Sequence, residues 1–203
     1  WEFGASCPDR LAASPNRKES AILDARLQAW QPGWIVKGWI GTSSKPKDLD
    51  TGDGNLNSIV VLSRGRLFHE NVLDTFNDGR LYTKYLTGQL EFDCLDAPDQ
   101  ADIATSDRQR VIEDDERYIQ LLAFLRSSLT KVERQWGDWR RKHAVDEVIQ
   151  EHPVVKEWMD GLDSDADSPV SIQARALIAK VHSLPIDNPD DKKELLRNAV
   201  IAF

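Results

Sequence analysis

Cysteine is scarce in this chain. Two of its 203 residues, Cys7 and Cys94, cannot build a disulfide framework. Neither sits in a CxxC or Cys/His spacing of the kind zinc needs, so no metal site is expected. A reducing compartment, the cytoplasm, is the default for such a chain. Long apolar runs are missing too. None approaches the roughly 20 residues of a membrane span, so a membrane is excluded as a partner. The first residues, WEFGASCPDR, lack the basic and apolar regions of a signal peptide. They also lack a starting Met, which reads as a segment of a longer protein. Positive charge is in deficit, with 26 Lys and Arg against 34 Asp and Glu, a net −8. Bulk charge therefore does not draw this chain to nucleic acid, and any such contact must be a local basic patch. The histidines, His69, His143, His152 and His182, stand far apart, with no ligand partner at helical spacing. Ser63 and Ser106 have no nucleophile-elbow context. A free-standing enzyme is the weakest reading, because no nucleophile–base or metal constellation is in view.

What is present divides the chain in two. Residues 1–19 look irregular, with two prolines, a Gly and many small polar residues. Ser20 is a candidate N-cap for a short helix through Ala21, Ile22, Ala25 and Leu27. WIVKGWIGT, from Trp34 to Thr42, has the aromatic and β-branched content of a strand. A polar loop, SSKPKDLDTGDGNLN, follows. SIVVLSRGRLFHEN predicts strand, tight turn at Arg64-Gly65, and strand. Asn77-Asp78-Gly79 predicts a further turn, and Tyr85 to Leu95 a strand. Beyond that the period changes. From about Glu113 to Trp139 apolar residues recur at helical spacing: Tyr118, Leu121, Leu122, Leu125, Leu129, Val132 and Trp136. Shorter helices are expected near residues 144–160, 169–183 and 190–202, with an acidic linker from Gly161 to Pro169 and a start signal at Asp187-Asn188-Pro189. The predicted fold is α+β: a small mixed β-sheet covered by helices, then an all-helical C-terminal segment. The expected divisions are 1–19, 20–110, 111–160 and 161–203.

DTGDGNLN, from Asp50 to Asn57, has the look of a calcium loop. Glycines stand where oxygen ligands belong, and the twelfth position is Val61 rather than Glu, so a plain polar loop is the reading. RQWGDWRRKH, from Arg134 to His143, is basic within an acidic chain and carries two tryptophans. Arg140, Arg141 and Lys142 are candidate nucleic-acid contacts. The competing account places cations at a helix C-terminus, where the dipole favours them, and the tryptophans in a core stripe. In ATSDRQRVIEDDERY, from Ala104 to Tyr118, Thr105, Ser106 or Asp107 serves as a helix cap, and the acids Glu113 to Glu116 suit the first turn. Capping does not account for Arg108 and Arg110, cations at a helix start. An anion such as phosphate would account for them.

The order GWIGT…KP, NSIVVLSRGRL, YLTGQLEFDCL and ATSDRQ resembles the middle, or transducer, domain of the GHKL ATPases, the superfamily of gyrase, the ninety-kilodalton heat-shock chaperone, histidine kinases and MutL. The flavour is that of the MORC-like and chaperone-like bacterial branch, and the resemblance covers about residues 34 to 140. It implies a ribosomal-protein-like transducer fold with a βαβ element, in a parent that is a dimeric ATPase using ATP with Mg. Arg108 would reach the γ-phosphate held by a preceding ATPase domain absent from this chain. Gln109 would orient the loop or the attacking water, and Arg110 and Lys45 would be further cofactor-binding candidates. The nucleotide pocket motifs are missing, so this segment alone is expected neither to bind ATP tightly nor to hydrolyse it. The setting implied is a DNA transaction or defence against phage. The rival reading is a non-catalytic protein- or DNA-interaction module.

Overall fold

The computed structural model of the chain describes residues 1–3, 19, 21–24, 35–76, 81–97, 114–162 and 168–202. The architecture is α+β, with a mixed sheet followed by helices. The strands are β1 (Glu2–Phe3), β2 (Ile22–Leu23), β3 (Lys37–Thr42), β4 (Asp50–Thr51), β5 (Gly54–Asn55), β6 (Ile59–Ser63), β7 (Arg66–His69) and β8 (Leu86–Glu91). The helices are α1 (Glu116–Glu151), α2 (Pro153–Leu162), α3 (Pro169–His182) and α4 (Pro189–Ala202). The main sheet has the order β2-β1-β3-β8-β6-β7, and β4 and β5 form a separate two-stranded sheet. Two compact units result, 1–133 and 134–203.

The first unit is built on period-two alternation. β6 and β8 pair in parallel, with Ile59 opposite Gly88 and Val61 opposite Leu90. Ile59, Val61, Leu86 and Leu90 are all fully buried, while the alternating Val60, Thr87 and Gln89 are only partly buried. Each pleat thus sends its branched side chains to one face. β3 runs antiparallel to β8 and adds Ile40 to the same core. The first part of α1 contributes Tyr118, Leu121, Leu125, Leu129 and Val132, an i, i+3, i+4 series that makes one apolar stripe. Phe124 meets Phe3 of β1 with ring centroids 5.5 Å apart.

The β6–β7 hairpin closes through Arg64 and Gly65, both left-handed at φ 49° and 72°. Two successive positive φ values are what a twisted two-residue hairpin needs. The end of β8 anchors that tip. The Arg64 N–H donates to Asp93 Oδ1 at 2.9 Å, and the Gly65 N–H to Glu91 Oε1 at 3.2 Å.

Several expectations are corrected. Ile22 and Leu23 lie in β2, parallel to β1, where a short helix was expected from Ser20. The polar loop after β3 holds a 3-10 turn at Pro46–Leu49 and the β4–β5 hairpin. The strand expected to reach Leu95 stops at Glu91, and a 3-10 turn occupies Asp93–Asp96. Between the parallel strands β6 and β8, the described residues hold β7 and 3-10 turns at Val72–Phe76 and Leu81–Tyr85 rather than the α-helix of a βαβ element. The helix expected to finish near Trp139 runs on to Glu151. The turn at Asn77-Asp78-Gly79 lies outside the described residues.

The second unit is helical. Pro153, which has no N–H, separates α1 from α2. Ser168 caps α3 by accepting from the Ser171 N–H at 3.2 Å, with Pro169 in the first turn. Asn188 Oδ1 accepts the Asp190 N–H at 3.0 Å where α4 begins. The core gathers Val145, Val148 and Ile149 of α1 with Val155, Met159, Ala174, Ile178, Val181, Leu196 and Val200. The half-exposed pair Arg175–Asp146, at 2.5 Å, ties α3 to α1. No helix among the described residues is long and apolar enough to cross a membrane.

Candidate nucleic-acid interface on the long helix

The buried stripe of α1 stops at Val132 and resumes at Val145. None of residues 133–144 is buried. A helical segment without a core-facing side is a solvated span, and its side chains are set by something other than packing. RQWGDWRRK, residues 134–142, fills most of this span, with four cations (Arg134, Arg140, Arg141 and Lys142) against Asp138 within it and Glu133 before it. Because α1 continues to Glu151, these cations lie mid-helix. The favourable dipole is confined to the last turn, so it does not account for them. Nor do Trp136 and Trp139 form a core stripe, since both are only half-buried.

Helical geometry sorts the cluster. Residues seven apart lie two turns along one face, and neighbours in sequence diverge by about 100°. Arg134 and Arg141 therefore share a side, with Asp138 between them and Lys142 at the flank. Arg141 Nη2 donates to Asp138 Oδ1, and both side chains are more than half exposed. Arg134 is exposed and has no ion-pair partner among the described residues. Arg140 points elsewhere: its guanidinium lies over the Trp136 ring, 4.7 Å from the centroid, a cation–π stack one turn apart. The three consecutive cations thus span a wide arc, and Arg134, outside that run, is the residue that faces with Arg141. Only the continuity of the helix reveals that pairing.

Other sequence-derived candidates are placed differently. Arg108, Gln109 and Arg110 lie outside the described residues, as do Thr105, Ser106 and Asp107. Lys45 is exposed at the start of the 3-10 turn. Its backbone N–H donates to Asp48 Oδ2 at 3.0 Å, and its carbonyl accepts from Ser43 Oγ at 2.9 Å. α1 is capped by Asp115. That carboxylate accepts the Arg117 N–H at 2.9 Å and receives Nε and Nη2 of the buried Arg117 at 2.8 Å each. These bonds hold its pKa below the usual carboxylate value. Burial pushes the Cys94 thiol well up, so it is a poor nucleophile. Among the described residues no group of three or more His, Cys, Asp or Glu is arranged to hold a metal.

No family model and no solved structure matches the chain. Over 112 residues it is 33% identical to a protein of Herpetosiphon aurantiacus named "Putative type II restriction enzyme HgiDII". The match covers 55% of this chain and 18% of that protein. This corrects the classification as a GHKL ATPase of the MORC-like or chaperone-like kind. The relative is named for restriction, and its name says nothing of the ATP-binding roles expected of Arg108, Gln109, Arg110 and Lys45.

Proposed function

We propose that this chain is a DNA-contacting interaction module of a longer, cytoplasmic, restriction-type protein. The carrying observation is the cation cluster in the middle of α1, on a span with no buried residue. Neither helix dipole nor core packing calls for it there, and the chain's net charge of −8 runs against it. Phosphate is the partner that a group of exposed guanidiniums serves best. The name of the relative, a type II restriction enzyme, supports DNA as the class of partner. The tryptophans do not argue for unpaired bases, because Arg140 occupies a face of Trp136.

Binding to a labelled duplex of arbitrary sequence, followed by anisotropy, tests the proposal. Complex formation is expected at low salt. The logarithm of the affinity should fall linearly with log salt, by about 0.9 per phosphate neutralised, a total slope of about −2 to −3 for this small cluster. No complex at the lowest salt at which the chain stays folded removes the reading.

A further inference from the structure

We infer that the duplex is held by one arc of α1, Arg134 with Arg141 and Lys142 at its flank, that Asp138 restrains this arc from within, and that Arg140 takes no part. The inference rests on the DNA-contacting reading and assigns its residues. Arg134 and Arg141 are two turns apart, so they are about 10.5 Å apart along the axis and face the same way. A duplex offers one phosphate per about 1.7 Å of axis, so a face of this length meets several, and exposed guanidiniums can each take one in a two-pronged hydrogen bond.

Asp138 lies between them and already holds Arg141. A phosphate must displace this carboxylate and is repelled by it until it does. The pair therefore acts as a competitor built into the site. Arg140 carries the same charge as its neighbours, but it leaves the helix about 160° around from Asp138, whereas Lys142 leaves about 40° from it, and the Arg140 guanidinium stacks on the Trp136 ring. The sequence presents Arg140, Arg141 and Lys142 as one basic run. The helix divides them.

Single variants of the whole chain decide the matter, with the labelled duplex at low salt as probe. Arg134→Ala and Arg141→Ala are each expected to weaken binding severalfold and to reduce the salt slope by about 0.9. Arg140→Ala, the same loss of charge, is expected to change affinity less than twofold and to leave the slope alone. Asp138→Asn is expected to tighten binding severalfold. Ala is the better helix former at exposed positions, and Asn is close to Asp, so the helix persists in every variant, as circular dichroism would verify. A gain of binding on Asp138→Asn has no explanation in misfolding. If Arg140→Ala weakens binding as much as Arg134→Ala, bulk charge rather than the arc is at work. If Asp138→Asn binds no better than the native chain, the competitor role is wrong. Either result overturns the inference and leaves the module a DNA binder. Absence of any wild-type complex removes both.

Discussion

His69 makes hydrogen bonds that only its neutral form satisfies. The Asn71 N–H donates to Nδ1 at 3.2 Å, so Nδ1 carries a lone pair and the proton belongs on Nε2, which faces Thr75 Oγ1 at 3.4 Å. The ring stacks on Tyr118 with centroids 6.3 Å apart. Burial lowers its pKa, and the opposing charges of Asp74 and Glu70 do not restore it. The unfolded chain therefore takes up a proton at a higher pH than the folded one. The neutral imidazole's contribution is complete above about pH 6.5, the unfolded value, and is lost as pH falls below it towards the lowered folded value. Replacing His69 by Gln, which does not titrate, should flatten the dependence of stability on pH in this window. Denaturant midpoints between about pH 7.5 and 5 measure the slope for both proteins. Equal slopes would show that His69 is not the group responsible.

Helix α1 depends at its start on Asp115. One carboxylate caps the helix and neutralises Arg117, whose side chain is only 3% exposed. Asp115→Asn keeps a capping oxygen but removes the carboxylate charge that accepts Nε and Nη2 of the buried Arg117 guanidinium. Loss of a partner from a fully buried pair costs about 3–5 kcal/mol, and the partial exposure of Asp115 reduces this to about 2–3 kcal/mol. Urea unfolding should read that loss as a lower midpoint, and a change under about 0.5 kcal/mol would show that Arg117 finds another anion. The cap itself was hard to read from sequence. Thr105, Ser106 and Asp107 offered three N-cap residues, yet α1 begins at Glu116, inside the acidic run, with Asp115 as its cap. The β6–β7 hairpin was easy to read, because Arg64-Gly65 between two alternating runs leaves a left-handed turn as the natural solution. β2 was not legible. A two-residue strand exists only through its pairing with β1, and the local residues around Ser20 favour a helix start. α1 looked like two helices for a physical reason: its apolar spacing lapses across residues 133–144 while the backbone continues. The same lapse concealed the site. Arg140, Arg141 and Lys142 stood out as neighbours in sequence, whereas the Arg134–Arg141 pairing needed an unbroken helix.

At the scale of the whole molecule, the proposed contact works against the field of the chain that carries it. With a sequence pI near 5.0 and a net charge of −8, the protein repels a polyanion at a distance and attracts it only locally. Two parts of the binding energy should then separate experimentally. Lowering pH from about 8 to 6 removes net negative charge, while arginine, with a pKa above about 12, stays charged. Duplex affinity at low salt should rise over that range. At about 0.01 M salt the Debye length is about 30 Å and spans the molecule, while at 0.15 M it is about 8 Å and reaches only immediate neighbours. The rise with acidification should accordingly shrink at the higher salt. The double variant Arg134→Ala/Arg141→Ala should bind more weakly at every pH yet keep the same proportional rise, because neither arginine titrates in this range and the charge gained on acidification is unchanged. Anisotropy titrations at two salts and several pH values test this directly. A rise that persists undiminished at 0.15 M would assign the effect to a titrating group at the interface, and no rise at low salt would mean that net charge does not govern the encounter.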